Sequence, residues 1–598
     1  MGKYFLPITV KEMSALGWEQ PDVVLVSGDA YVDHASFGAA IIGRLLEREG
    51  LKVAILPQPN WQDDLRDFKK FGPPRLFFAI TSGNMDSMVN HYTAQKRLRH
   101  DDAYTPGGKA GFRPDYATSV YCRIVKQLYP TVPVIIGGIE ASMRRLSHYD
   151  YWSDSLKPSI LIESGADLLI YGMAEKPVVQ VAHALQEPHW QSIVRKIPQV
   201  SFYQKDISSY KQKEGVVVLH AYEQELQNKK YYGENFTVFE RESNRLKAKI
   251  LVQPYHCRPF SVVPLSEDGS TNMTDCGGIV VNPPFLPATE MEMDSWALYD
   301  NMMNAPHPKY DKRGTIPAFE MIKNSITVHR GCFGGCSFCT ISAHQGKFIA
   351  SRSMSSILDE AKHLSRRSYF KGHISDLGGP SANMYRMGGK DRQRCEVCSR
   401  ASCLVPRLCP NLNIDHHPLV ALYRSVLNIP GIKTVSIGSG IRYEMLLAEN
   451  EEDNARYGLL SYLRQVVSHH VSGRLKVAPE HTCSPVLKIM RKPPFDAFKR
   501  FIPLFNRFSR EAGKKQQLIP YFISAHPGCT REHMQALAKA TRASHLLTEQ
   551  VQTFTPTPMT YSTALYFLGY DPYTGEKIPV CRDKKEREQQ HLCFFSKK

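Results

Sequence analysis

Short apolar runs, each closed by glycine or a polar residue, recur through the first two hundred positions. "PDVVLVSGDA", "KVAILPQPN", "RLFFAITSGN", "VPVIIGGIEAS" and "ADLLIYGMAEK" have strand length and are apolar on both faces. Between the first two, "AAIIGRLLEREG" has its apolar positions at helical spacing and stops at Gly50. Strands buried on both faces and alternating with helices predict a Rossmann-like, doubly wound parallel α/β sheet over residues 1–200. The strands end in Gly28-Asp29, Ser82-Gly83-Asn84, Gly137-Gly138-Ile139-Glu140 and Gly172. Such sheets take ligands at that end, although turn formation is the ordinary use of these glycines. There is neither G-x-G-x-x-G nor a P-loop, so no dinucleotide or nucleoside triphosphate is expected.

Residues 201–310 show no sustained period and are rich in proline toward the end, as in a linker or wrap between domains. From 311 a second rhythm begins. "NSITVHR", "GHISDLGGP", "KTVSIGSG", "RLKVAPEH", "QLIPYFISAHPG" and "EQVQTFTPTP" read as strands, separated by amphipathic stretches such as "FDAFKRFIPLFNRFSREAGK". Six β/α units predict a partial TIM-type barrel over 311–570, whose functional groups should follow the carboxyl ends of its strands. Residues 571–598, with "RDKKEREQQHLCFFSKK", read as a basic, solvated tail.

Composition narrows this picture without redirecting it. The 598 residues are 42% hydrophobic and 22% charged, as in a soluble chain of two to four domains. Every apolar run is far shorter than the roughly 20 residues that span a bilayer, and "MGKYFLPITVKEM" has no leader pattern. A cytoplasmic protein without membrane partners is the expectation. A net charge of +17 would suit nucleic acid, but the basic clusters are short and no aromatics alternate with them. Basic residues spread over solvated helix faces are the plainer reading.

Of 14 cysteines, seven fall between Cys332 and Cys409, and no secretory pattern argues for disulfides. The other seven are read as small core hydrophobes or neutral surface positions. "HRGCFGGCSFCT" sets Cys332, Cys336 and Cys339 in the spacing C-x3-C-x2-C, directly after a strand. A closed zinc site takes four ligands. A 4Fe–4S cluster held by three thiolates instead leaves one iron open to the amine and carboxylate of a small molecule such as S-adenosylmethionine (SAM). Glycines at 331, 334 and 335 allow the loop to close around such a cluster, and Phe338 puts an aromatic ring beside it.

This pattern, with its aromatic residue before the last cysteine, resembles the radical SAM signature. "ISDLGGPSANMYR" resembles that superfamily's glycine motif, which implies that Gly378 and Gly379 contact the SAM amino group; Pro380 stands where many members carry Glu. "IGSGIRYE", "LKVAPEHT" and "IPYFISAHPG" resemble the later strand motifs, which implies that Glu480 and His526 lie near the SAM ribose and adenine. From "SGDAYVDHASFGAAIIGRLLE" onward the chain resembles the YgiQ family over nearly its whole length. That resemblance implies reductive cleavage of SAM to a deoxyadenosyl radical, an electron donor such as a flavodoxin or ferredoxin, and a substrate that is not established.

Two other constellations carry chemistry. Cys395, Cys398, Cys403 and Cys409 form C-x2-C-x4-C-x5-C within an insertion at 388–412, enough soft ligands for a zinc or a second iron–sulfur site. Its role is expected to be stapling the insertion. His416 and His417 read as helix-start residues rather than alternate ligands. In "DAYVDHASFG", Asp33 and His34 are adjacent, with Gly38 four positions on. The cobalamin fingerprint D-x-H-x-x-G is thus broken, and a cobalamin-like fold without cobalamin is expected. "MRRLSHYDYWSDS", carrying Arg144, Arg145, His148 and Asp150, reads as an inter-domain surface or a lid. Two further readings stand beside the enzyme: a metal-stabilised RNA-binding protein without chemistry, and a cobalamin-dependent radical SAM methyltransferase.

Overall fold

The structure, a computed structural model, describes residues 4–257, 274–544 and 550–595. Five parallel strands open the chain: Val23–Ser27, Val53–Pro57, Phe77–Thr81, Val134–Ile136 and Leu168–Ile170. Across the sheet they run second, first, third, fourth, fifth, the doubly wound order whose switch point lies between the first and third strands. Period-two alternation fills both faces. Val23, Val53 and Phe77 share a register row and pack into one core, while Val24, Ala54 and Phe78 in the next row pack into the other.

Residues 201–310 are not a linker. Val200–Gln204, Thr274–Val281, Ile250–Cys257 and Val216–Val218 extend the same sheet in that order, making nine strands. The first three pairings so added are antiparallel, and Val216–Val218 pairs in parallel with Ile250–Cys257. Their apolar runs are short and separated by long polar stretches, which hid them from a periodicity reading. The loop expectation for 258–273 lies outside the described residues, as do the side chains of Cys257 and Cys276. Cys122, Cys529 and Cys581 are buried, as expected of small hydrophobes.

The second unit has six strand regions: Ser325–Thr327, 373–378, Thr434–Val435, Arg474–Glu480, Gln517–Ser524 and Gln550–Thr553, paired in parallel in chain order except between the third and fourth. Helices cover them. In Phe495–Glu511, Phe495, Phe498, Phe501, Phe505 and Phe508 recur every three to four residues and are all buried against the barrel.

The C-terminal region is not a solvated tail. Every residue of the helix Tyr561–Leu568 is buried, and it packs into the N-terminal core, with Tyr149 stacked on Phe567. The "MRRLSHYDYWSDS" segment is therefore a buried inter-domain surface rather than a lid. The last helix, Lys584–Phe595, buries Arg587, Gln590 and Phe594. Its few apolar positions and many charges read as solvent-facing because its anchors are polar residues bonded to backbone.

Candidate functional site

The loop carrying Cys332, Cys336 and Cys339 leaves the first barrel strand and ends in the one-turn helix Ile341–His344. Gly335 turns it with φ +61°, and a Cβ there would collide with the Ala401 carbonyl of the cysteine-rich insertion. The Cys403 amide donates to the Phe333 carbonyl at 3.0 Å, and Phe333 is buried among Met384, Met387, Leu404 and Leu412. The insertion thus braces the loop from behind.

Burial raises the Cys332 thiol, and it pushes Cys339 up to about 12, with Cys336 as the next contributor. Cations oppose this. The buried Arg442 donates from Nη1 to Cys336 Sγ at 3.2 Å and is itself held by Glu444 at 2.6 Å. Thiolate ligands carry negative charge into a desolvated place, and a fixed guanidinium offsets that cost. Arg442 was not singled out from the sequence. It sits in "IGSGIRYE", after the third barrel strand, where a basic residue following a Gly-Ser-Gly turn was the available signal.

The residues expected to hold SAM gather around this loop. Gly379 packs directly on the His329 ring, where a Cβ would stand 2.5 Å from a ring carbon. His329 is fully buried, has no partner on either ring nitrogen among the described residues, and is pushed by burial down to about 3. Gly378 accepts the Val328 amide at 2.8 Å, so the glycine motif lies against the strand that feeds the cysteines. Asp376 ties the next strand end in, accepting from the Gly438 amide at 2.8 Å and the Ser439 amide at 3.2 Å.

Glu480 ends the fourth strand at φ +67°, a strained conformation for a non-glycine residue. It is buried, which raises its carboxyl, and Lys492 lies 3.7 Å away. His526, after the fifth strand, stands edge-on to Phe338 with ring centroids 6.0 Å apart. Its Nδ1 contacts the Pro527 carbonyl at 2.8 Å and its Nε2 the Ser562 hydroxyl at 2.7 Å. Ser562 in turn bonds the Ser337 hydroxyl at 2.8 Å. Burial pushes His526 down to about 4, so it is a neutral bridge from the cysteine loop to the helix Tyr561–Leu568.

The second cysteine set lies on the insertion around a cavity of about 600 Å³. Cys395 Sγ accepts from Asn411 at 3.5 Å, Lys347 Nζ stands 4.0 Å from Cys398 Sγ, and burial pushes Cys403 up to about 11, with Lys347 opposing. Among the described residues, no three His, Cys, Asp or Glu side chains are gathered tightly enough to hold one ion as they stand. A cluster puts each thiolate on a different iron and so takes more widely spaced sulfurs than a single ion does. At Cys332, Cys336 and Cys339, the soft donors, the glycine turn and the guanidinium at Cys336 fit such a group. His416 and His417 are helix-start residues: His416 contacts the Ile414 carbonyl at 2.6 Å, and His417 the Asp415 carboxylate at 2.7 Å.

The two units face each other across their functional ends. Thr81, Gly83, Asn84, Gly137, Gly138 and Gly172, at the carboxyl ends of the parallel strands, line a cavity of about 460 Å³. Its opposite wall is Thr340, Ile341, His344 and Gln345 of the cysteine loop. Asp33 and His34 are not part of that lining. Asp33 pairs with Arg44 at 2.6 Å in the core, and His34 accepts the Ser36 amide at 3.1 Å. Asp29 pairs with Arg113 at 2.9 Å.

Residues 5–325 match the radical SAM N-terminal family, and residues 549–595 match a domain of unknown function. A UPF0313 protein of Bacteroides thetaiotaomicron is 51% identical over 603 aligned residues, which span 99% of this chain and 94% of the relative. A UPF0313 protein of Methanocella arvoryzae is 44% identical, over 97% of this chain and 91% of its own length. Among solved structures, the radical S-adenosylmethionine methyltransferase TsrM from Kitasatospora setae, with cobalamin and a [4Fe-4S] cluster bound, aligns over 96% of this chain and 85% of its own, with a TM-score of 0.48 and 13% identity. Among the described residues, no helix is long and apolar enough to cross a membrane. Nearly full-length identity of this order establishes kinship, and this chain belongs to the UPF0313, or YgiQ, family of radical SAM enzymes.

Proposed function

We propose that Cys332, Cys336 and Cys339 hold a 4Fe–4S cluster with SAM on its open iron, and that the enzyme acts on its substrate through a deoxyadenosyl radical. When bound and reduced, the cluster would supply one electron to the SAM sulfonium, whose carbon–sulfur bond would break to leave methionine and the deoxyadenosyl radical. The chain's own residues position and insulate. Gly378 and Gly379 present backbone close enough to bind the SAM amino group. Glu480 and the Phe338–His526 pair bound the space beyond them, toward ribose and adenine. Arg442 balances thiolate charge, and the buried rings keep water from a reactive carbon. Cys395, Cys398, Cys403 and Cys409 hold a second metal, zinc or iron–sulfur, that staples the insertion against the loop. A flavodoxin or ferredoxin is the expected electron source.

One observation carries this reading: three thiols on a glycine-turned loop, with a buried guanidinium on the middle one, and the turn that follows them walling a cavity closed by the other unit's strand ends. Asp33 is bonded to Arg44 and His34 Nδ1 takes the Ser36 amide, and the reading without a cobalamin ligand rests on the broken spacing of the fingerprint. The test is anaerobic reconstitution with iron and sulfide, followed by an assay for deoxyadenosine beside Cys332→Ala/Cys336→Ala/Cys339→Ala. The parent should release deoxyadenosine and the variant none. Metal analysis of that variant should still count the second metal and identify it. No cleavage by a cluster-loaded parent, with no spectral response to SAM, would leave a metal-stapled binding protein.

A further inference from the structure

Beside the strand-end cavity lies a second chamber of about 160 Å³; Gly172, Met173, His344 and Gln345 stand between the two and line both. Six Lys and Arg side chains against one Glu stand in the chamber's wall. Arg145 and Lys347 are each only 3% exposed. The Arg145 guanidinium lies over the Tyr171 ring at 4.5 Å and the Phe239 ring at 4.9 Å. Nη1 donates to the Ser142 carbonyl at 2.5 Å and touches Met559 Sδ at 3.4 Å, and Nε has no partner among the described residues.

Other buried arginines of this chain have carboxylates. Arg44 has Asp33, Arg113 has Asp29 and Asp102, Arg144 has Asp86, and Arg442 has Glu444. Arg587 lacks one but directs its donors to the carbonyls of Phe554 and Cys581. Among the described residues no carboxylate pairs with Arg145, whose aromatic neighbours offer π faces only. A guanidinium so placed bears a desolvation cost that an anion would offset. Burial alone lowers it to about 10, so it stays charged near neutrality. Across the chamber, His344 Nδ1 is likewise buried without a partner among the described residues, whereas Arg330 is held by Glu175 and Lys347 donates to the Arg400 carbonyl at 2.6 Å. Arg145 is thus a buried cation without a carboxylate, set amid aromatic and proline surface.

We propose that this chamber binds the anionic head, phosphate or carboxylate, of a small substrate, with Arg145 as its anchor. The body of that molecule then lies along the chamber's aromatic and proline surface, opposite residues 342–348 that follow the cysteine loop. Calling the molecule a substrate rests on the radical SAM reading; the binding does not, because its anchor Arg145 belongs to the N-terminal unit and needs no cluster.

Titration calorimetry with phenyl phosphate and with benzoate tests the site on the full-length chain, in the parent and in Cys332→Ala/Cys336→Ala/Cys339→Ala. Both chains should bind the preferred probe alike, so failure of the cluster chemistry leaves this result intact. Arg145→Met should weaken it at least tenfold and Arg145→Lys less. Ala248→Trp, which fills the half-buried rim of the chamber without touching a charge, should do the same and covers the case in which Arg145→Met does not fold. Tighter phenyl phosphate would assign a phosphorylated molecule, and tighter benzoate a carboxylated one. No binding of either probe by the parent at millimolar concentration, or equal binding by parent, Arg145→Met and Ala248→Trp, overturns the site.

Discussion

Gly379 and His329 meet so closely that neither side chain can be chosen independently. A Cβ at 379 would stand 2.5 Å from the imidazole, and the ring has no room to move because it is fully buried. Gly379→Ala should therefore destabilise the chain by about 1–3 kcal/mol, the usual range for overpacking, and weaken SAM binding measured by calorimetry. Adding His329→Ala removes the obstructing ring and should restore both. A double variant as impaired as Gly379→Ala alone would show that the glycine is needed for its backbone freedom rather than for the ring. Of this pair the sequence displayed only the glycines, through their resemblance to a motif. His329 looked like an ordinary strand residue, because a buried ring with unsatisfied nitrogens is visible only once its surroundings are known. Arg442 was missed for the same reason: its partner Cys336 lies 106 positions away.

At the scale of elements, the helix Lys584–Phe595 shows how a charged segment becomes structural. Arg587 donates to two main-chain carbonyls, and Gln590 accepts the Ala525 amide at 3.1 Å and donates to the Cys529 carbonyl at 3.3 Å. The Gln590 bonds clamp the turn that carries His526, and the Arg587 bonds hold the helix to Phe554 and Cys581. Arg587→Ala leaves two buried carbonyls without their charged donor, a loss of about 1.5–3 kcal/mol per bond. Hydrogen exchange should then speed at residues 525–529 and at Phe554, well before the barrel helices respond. Unchanged protection there would reduce this helix to surface packing. The four strands between 200 and 281 make the converse case. Their pairing joins distant segments, and sheet edges of that kind leave little trace in local periodicity.

The whole molecule buries an unusual number of neutral imidazoles. Burial pushes His34, His416, His470 and His526 down to about 4, and His329 and His481 down to about 3. An unfolded imidazole takes up its proton near pH 6.5, whereas these hold none until far lower pH. Between those values the unfolded chain binds more protons, so stability is full above about pH 6.5 and is lost as pH falls toward 4. The loss is about 1.4 kcal/mol per pH unit for each such group, before relaxation. The Tm of the as-purified protein should drop steeply between pH 6.5 and 5, above the range where most carboxylates titrate. His470→Gln, whose ring contacts the Val435 carbonyl at 2.8 Å, should flatten that slope. A Tm that holds constant from pH 7 to 5 would contradict the assignment.

What the sequence determined by itself is local and chemical. The spacing of Cys332, Cys336 and Cys339, the five parallel strands with their terminal glycines and the six strand regions of the barrel are all written in short windows, because a ligand loop and an apolar strand each need only neighbouring residues. Tertiary structure alone decided which far segments share a sheet and that the last helix is an anchor. It also set the sheet's ligand end against the cysteine loop and left Arg145 without a carboxylate. Those outcomes depend on desolvation and on contacts between residues tens to hundreds of positions apart, and the charge a side chain feels is fixed by what surrounds it in space.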